Sequence, residues 1–343
     1  MSLSVLSNFR SVFTAPDIAI DLGTANIRLY ASGHGLIADE PSMIKVRPDD
    51  GTIEAVGSGA TQLSPDQTQS ELISPMREGV VADVDAASAL IKPLLKRARW
   101  FGLRRPRVLA CAPTDACDEE RAALIEATRR AGASAVALAP EPLAAAIGIG
   151  MDVSSIYAQM IVDIGDGVTD IAVIRSGSLV ATSAVRIACS NLVTAVCQSV
   201  AQEHGIEPYH REAERLTWRV GAVRSPQFSS PFAVAGADCQ TGLQRRVYVH
   251  GHEVVAAMTP VLDTIVSAVR DAVKDLPPEI GCEIIESGLH LTGGGACLPG
   301  LAKLLAEETS LDVHAARNPL RAVINGARQM LITGAQTELW AVS

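Results

Sequence analysis

Two short segments carry the residue types that handle phosphate. Ile18-Ala19-Ile20-Asp21-Leu22-Gly23 is an apolar run ending in Asp-x-Gly, and Ile161-Val162-Asp163-Ile164-Gly165 repeats it 142 residues later. Glycine at such a turn lets backbone N–H groups approach a phosphate with no Cβ in the way. Gly23-Thr24-Ala25-Asn26 offers one cradle and Gly165-Asp166-Gly167-Val168-Thr169 the other. Asp21 and Asp163 stand beside these turns. Two carboxylates there suit a hydrated Mg²⁺, which keeps most of its waters and takes few protein oxygens. Asp and Gly are also ordinary turn formers, so a single turn of this kind carries little weight. A matching pair carries far more. A third element, Leu289-His290-Leu291-Thr292-Gly293-Gly294-Gly295-Ala296, runs from an apolar strand into three glycines, which leave room for a flat ligand such as adenine or ribose. It is neither GxGxxG nor a Walker sequence, which excludes Rossmann and P-loop readings.

These turns need strands to hold them. Strand-like runs occur at Ile18–Asp21, Ile27–Ala31, Val108–Ala112, Met160–Asp163 and Ile171–Arg175. Helical patterns alternate with them at Ala86–Arg99, Asp118–Ala131, Leu192–His204, His252–Lys274 and Leu298–Glu308, the last with Pro299 in its first turn. In each half a second strand follows the Asp-x-Gly turn and ends near Ser-Gly (Ser32-Gly33, Ser176-Gly177). The alternation predicts α/β layers, and the echo predicts a duplicated, two-lobed fold with a cleft between the lobes. A chain of 343 residues is too long for one compact core.

The ordered set Asp21-Leu22-Gly23-Thr24-Ala25-Asn26, Glu40-Pro41-Ser42, Pro75-Met76-Arg77-Glu78-Gly79-Val80, Glu141-Pro142-Leu143-Ala144-Ala145-Ala146-Ile147-Gly148, Asp163-Ile164-Gly165 and Leu291-Thr292-Gly293-Gly294-Gly295 resembles the motifs of the MreB family of bacterial actin-like proteins. The resemblance runs from about Asp17 to Met330. It implies an actin-like fold of duplicated ribonuclease-H-like domains, with ATP and Mg²⁺ in the cleft. It further implies lobe I over 17–155 with an inserted subdomain at about 40–80, and lobe II over 156–335 with another at about 190–250. A last helix at about 319–335 packs back toward lobe I, and 336–343 form a tail. Residue by residue, Asp21 to Asn26 resembles the first phosphate loop, Asp163 to Thr169 the second, and Thr292 to Ala296 the adenosine loop. Glu141 stands where the family positions the attacking water, and Asp21, Asp163 and Thr169 complete the implied catalytic set, the two aspartates reaching the metal through water. By its own residues, without the resemblance, Glu141 reads first as an acid at a helix start beside Pro142. Two departures stand out. Gly165-Asp166-Gly167 replaces a Gly-Gly-Gly, adding a negative charge near the phosphates. In Ala213-Glu214-Arg215-Leu216-Thr217, Thr217 occupies the position of the family's nucleoside lysine, while Glu214 is left for the ribose hydroxyls.

The net charge of −9 argues against general nucleic-acid binding, which needs a basic footprint. Seven cysteines without Cys/His ligand spacing read as buried, reduced thiols of a cytoplasmic protein. No apolar run approaches the ~20 residues of a membrane span, and the N-terminus does not read as a secretory signal. Against that acidic background, 86–114 holds Lys92, Lys96, Arg97, Arg99, Arg104, Arg105 and Arg107 with no acid, around Trp100, Phe101 and Leu103. Aromatics flanked by arginine favour an anionic headgroup layer, and the family resemblance implies a membrane-insertion loop there. A basic helix end with a buried Trp is the plainer alternative. Residues 1–16 add a second contact: Leu3, Leu6, Phe9 and Phe13 share one side of a helical wheel at about 100° per residue.

The function expected is a cytoplasmic filament, peripheral to the inner membrane, that binds ATP, polymerises with itself and organises wall synthesis for a rod shape. Its expected partners are further copies of itself, anionic inner-membrane lipids and membrane proteins of the elongation machinery. The alternatives are a MamK-like filament or a paralogue with impaired nucleotide turnover, and, from another class, a small-molecule kinase of the same superfamily.

Overall fold

The computed structural model of the chain describes residues 18–62, 70–98, 105–222, 230–333 and 341–342. In chain order the elements are β1 (Ile18–Leu22), β2 (Asn26–Ala31), β3 (Gly35–Pro41), β4 (Ile44–Val46), β5 (Ile53–Val56), β6 (Glu71–Ile73), α1 (Val84–Arg97), β7 (Arg107–Ala112), α2 (Asp118–Arg130), β8 (Ala135–Pro140) and α3 (Glu141–Ile149). They continue with β9 (Gln159–Ile164), β10 (Thr169–Arg175), β11 (Ser178–Val185), α4 (Cys189–His204), β12 (Ile206–Pro208), α5 (His210–Val220), β13 (Phe232–Asp238) and β14 (Gln244–Val249). The last are α6 (Gly251–Lys274), α7 (Pro278–Ser287), β15 (Leu289–Thr292), α8 (Leu301–Thr309), β16 (Val313–Ala315), α9 (Ala322–Thr333) and β17 (Ala341–Val342).

The chain divides into two compact units, residues 1–153 with 321–343, and residues 154–320. The first is built on a six-stranded sheet in the order β17-β8-β7-β1-β2-β3, with β1, β7 and β8 parallel and β2 turning back antiparallel on β1. A small sheet, β5-β4-β6, lies within it. The second unit repeats the plan on five strands, β11-β10-β9-β15-β16, with its own small sheet, β12-β13-β14. Parallel strands buried on both faces read as continuous apolar runs, and β1 and β9 accordingly consist almost wholly of buried residues. Each unit has its own aliphatic core: Ile18, Ile20, Leu29, Leu90, Ile91 and Leu138 in the first, and Met160, Val162, Leu192, Met258, Leu289 and Leu291 in the second.

Helix starts follow local chemistry. Asp83 caps α1 by accepting the Asp85 and Ala86 amides, each at 2.9 Å. The helix expected from Leu298 instead begins at Leu301, after Gly300 at φ 85°, so Pro299 lies before it rather than in its first turn. Helix α6 is long and apolar enough by composition to cross a membrane. Its apolar stripe, Val254, Met258, Leu262, Ile265, Val266 and Val269, is instead buried in the core of the second unit. The cysteines depart from the expected burial as well. All seven are free, but only Cys111 and Cys189 are buried, while Cys117, Cys239, Cys282 and Cys297 are exposed. A small thiol is tolerated at a solvated position as readily as in a core, so composition does not settle its place.

Leu3, Leu6, Phe9, Phe13, Trp100, Phe101 and Leu103 lie outside the described residues, as do Arg99 and Arg104. The remaining basic side chains of that stretch, Lys92, Lys96, Arg97, Arg105 and Arg107, are exposed. One is not uncompensated as its neighbours in sequence suggested, because Arg97 pairs with Glu40, a residue distant in the chain.

Helix α9 closes the first unit by packing on α3 through glycine. A Cβ on Gly148 would stand 1.8 Å from the Ala322 carbonyl oxygen, and one on Gly326 would stand 1.7 Å from that of Ala144. Backbone therefore meets backbone, and neither side has a flexible group that could give way. Gly326→Ala is expected to cost about 3 kcal/mol, the upper range for overpacking. Gly281→Ala, in a helix with open space around the new methyl, should instead add roughly 0.5–1 kcal/mol. Urea unfolding of both variants tests the contrast.

Candidate functional site

In the first unit, Asp21 is the second-last residue of β1 and faces Arg28 across the hairpin. Arg28 reaches Asp21 at 3.4 Å and Asp39 at 3.0 Å, and Arg321 meets Asp39 at 2.9 Å. Asp21 is only 7% exposed. Burial pushes its carboxyl pKa up, Arg28 pulls it down, and Asp39 adds a smaller upward push; the net shift is upward. The turn that follows is held from three sides. The Gly23 amide donates to the Asn26 carbonyl at 3.0 Å, the Ser42 amide to Ala25 at 2.9 Å, and the Ser42 hydroxyl to Gly23 at 2.6 Å. The Gly79 amide donates to the Thr24 hydroxyl at 3.0 Å. Ser42 and Gly79 thus position the loop, a role their motifs did not reveal in sequence because the partners lie 19 and 55 residues away.

Glu141 opens α3 directly after β8, behind Pro140 and ahead of Pro142. Strands β1, β7 and β8 run in parallel register, with Ile20 beside Ala110 and Ala112 beside Pro140. Asp21 and Glu141 therefore emerge at the same end of the two strands that flank β7. Both act on the thiol of Cys111, which burial first and these two negative charges next push well above its ordinary pKa.

The second unit reproduces the turn. The Gly165 amide donates to the Val168 carbonyl at 2.9 Å, as Gly23 does to Asn26, and Asp163 faces Asp170 where Asp21 faces Arg28. The start of α4 collars this loop: the Cys189 amide donates to the Gly165 carbonyl at 3.3 Å, and the Ser190 amide and hydroxyl donate to the Asp166 carbonyl at 2.9 and 2.6 Å. Thr169, expected as a catalytic hydroxyl, is fully buried and donates to the Ile187 carbonyl at 2.7 Å, so its proton serves the fold. Burial raises the Asp166 carboxyl pKa, His210 lowers it and Glu214 raises it again. His210 and Glu214 are one turn apart on α5 and share a face. Glu214 is thus brought to the second loop together with a histidine that sequence reasoning missed.

Strand β15 pairs with β9 in parallel, Thr292 beside Asp163. The three glycines then run against the end of β9. A Cβ on Gly293, at φ 78°, would lie 2.3 Å from Asp163 Oδ1, and one on Gly295 would lie 2.5 Å from Ile164 Cγ2. Gly293 and Gly295 are therefore required first for packing this loop onto the end of β9 and the Asp-x-Gly turn after it, a reason distinct from the space for adenine expected of Gly293, Gly294, Gly295 and Ala296. Gly221, ending α5 at φ 70°, touches Pro299, whose carbonyl accepts the Ala222 amide at 2.7 Å. That contact joins the helix bearing Glu214 to the segment after the glycines. The other α5 positions expected at a nucleoside are turned to the fold. Leu216 is buried, Arg215 binds Glu212 and the Ala233 carbonyl, and the Thr217 hydroxyl donates to the Ala213 carbonyl at 2.9 Å.

The buried, upward-shifted Asp21 carboxyl costs stability whenever it is ionised. Because its folded pKa exceeds the ordinary 3.8, that stability is present at low pH and lost as pH rises through this window. Asp21→Asn should remove the loss and stabilise the nucleotide-free protein at neutral pH by on the order of 1 kcal/mol. Denaturant melts at pH 4 and pH 7 check it, since only the parent should weaken between them for this reason.

The profile of the MreB/Mbl protein family matches residues 15–338. The chain is 35% identical over 320 residues to the cell shape-determining protein Mbl of Bacillus subtilis, covering 92% of this chain and 96% of the relative. It is 36% identical over 335 residues to the cell shape-determining protein MreB of Escherichia coli, covering 95% and 96%. Among solved structures, MreB5 of Spiroplasma citri bound to AMPPNP superposes with a TM-score of 0.85 at 26% identity, over 93% of this chain and 97% of that one. A MamK double helical filament shares the fold, with a TM-score of 0.78 at 17% identity over 92% and 98%. With duplicated Asp-x-Gly turns on an actin-like fold and a family match over nearly its whole length, the chain belongs to the MreB/Mbl family.

Proposed function

We propose that this chain binds ATP with Mg²⁺ and polymerises into membrane-associated cytoskeletal filaments that organise cell-wall synthesis and maintain a rod shape. The observation that carries the reading is the repeated turn, one glycine amide closing onto the carbonyl three residues on in each unit, beside an aspartate at a strand end. With the Gly23 and Gly165 amides closing the two turns, the other amides of Gly23 to Asn26 and of Gly165 to Gly167 bind phosphate oxygens, Glu214 takes the ribose hydroxyls, and Gly293 to Ala296 pass the base. The donor set fits Mg²⁺: Asp21 is a buried carboxyl whose ionised form lacks full compensation, and a nearby cation relieves that. Asp21 and Asp163 would hold it through water. When bound, the ion neutralises phosphate charge. Glu141 orients the attacking water and accepts its proton. The relatives named as cell shape-determining and the double helical MamK filament support the assembly role. The filament belongs in the cytoplasm against the inner membrane, held by the segment around Trp100 and Phe101 and by residues 1–16.

A second reading, a specialised paralogue with slower nucleotide turnover, draws on Thr217. A threonine there supplies no cation for the nucleoside, and its hydroxyl proton is already spent on the Ala213 carbonyl.

Glu141→Ala is expected to bind ATP normally and turn it over more slowly, leaving filaments that persist longer. Equal loss of binding and turnover would make Glu141 only a helix-start residue. Asp163→Ala should lower phosphate release about tenfold or more, roughly 1.4 kcal/mol in barrier; an unchanged rate rejects its assignment. Trp100 and Phe101 could each bury on the order of 150–250 Å², so replacing both by Ser should release filaments from anionic liposomes while assembly in solution continues. Co-sedimentation as strong as the parent's, even after residues 1–13 are removed, would show that the segment is no anchor.

A further inference from the structure

Away from the phosphate turns, the second unit gathers an imidazole and two carboxylates where two core helices meet. Glu203 and His204 end α4, and Glu253 lies in the first turn of α6. His204 Nε2 and Glu253 Oε1 are 3.0 Å apart, and ligand atoms of Glu203, His204 and Glu253 all lie within 4.8 Å of one another. Val196, Val200, Val249 and Val254 wall the spot, lowering the local dielectric. The second Glu253 oxygen accepts the His250 amide, which fixes the carboxylate, and the Ser199 hydroxyl donates to Glu203 at 3.2 Å. A carboxylate oriented by a backbone donor and set beside an imidazole is held from behind as metal ligands are held.

We propose that Glu203, His204 and Glu253 bind a borderline transition-metal dication, with Zn²⁺ the best match, clipping the end of α4 to the start of α6. One imidazole nitrogen and two carboxylate oxygens suit Zn²⁺, which accepts mixed N/O ligands and completes a tetrahedron with water. Mg²⁺ prefers oxygen and its own waters. Glu203 is exposed and Glu253 and His204 are half-buried, so an ion can enter from solvent and the Glu203 side chain can swing onto it. Since the other end of α4 collars the second phosphate loop, the clip would also steady the helix that shapes that loop.

The test uses the full-length protein stripped of metal, with the four exposed cysteines changed to Ser to remove competing thiolates. Calorimetric titration with Zn²⁺ should give one site, and Co²⁺ should give the visible bands of a low-symmetry N/O site. The melting temperature should rise with Zn²⁺. His204→Gln and Glu203→Gln, which leave the His250 amide to Glu253 cap bond in place, should each weaken Zn²⁺ binding about tenfold or more and abolish the rise. If both variants bind Zn²⁺ like the parent, or the parent shows no site, the cluster is an ion pair and helix cap only. Mg²⁺ at the same concentration should leave the melting temperature of the nucleotide-free protein unchanged; an equal shift would overturn the assignment of a transition-metal site.

Discussion

The parallel register of the central strands sets where most of the candidate site residues stand. β1, β7 and β8 in one unit, and β9 and β15 in the other, are hydrogen-bonded so that their ends align. Turns separated by more than a hundred residues of chain thereby open at one edge of one sheet. In open α/β sheets that edge is where ligands bind, because strand ends leave amides unpaired and helices begin there. Asp21 and Glu141 meet at such an edge, and so do Asp163 and the glycines after Thr292.

The glycines show how tightly this arrangement is specified. Gly293 and Gly295 sit where any side chain would strike Asp163 or Ile164, and Gly148 and Gly326 sit where any would strike a carbonyl. Backbone contacts of this kind tolerate no adjustment, since interiors are packed near crystal density. Glycine thus works here chiefly by absence, letting one element come within reach of another.

Polar burial follows a complementary logic. Asp21 stays buried beside a single arginine that is itself shared with Asp39, and its raised pKa reports a charge short of partners. Such a site stores a cost that a bound cation would relieve, the usual trade of stability for function. Thr169 and Thr217 show the opposite case. Both are buried, both spend their hydroxyl protons on backbone carbonyls, and both keep the fold in order where a polar group would otherwise be unpaired.

The sequence by itself determined the α/β class, the two Asp-x-Gly turns and the family, because strand periodicity and turn chemistry are local and survive without knowledge of partners. It also placed most element starts to within a few residues, as at Ile18, Asp118 and Val108 against β1, α2 and β7. Only the tertiary structure decided what the side chains spend their polar groups on. Arg97 looked uncompensated until Glu40 was brought to it, and Pro299 looked helical until its carbonyl was claimed by Ala222. Ser42 and Gly79 had no visible role until they closed on Gly23 and Thr24. The cluster of Glu203, His204 and Glu253 joins residues up to 50 positions apart in the chain and has no ligand spacing to betray it. In each case the partner is far away in sequence, and hydrogen bonds and ion pairs, unlike turns, depend on distance in space.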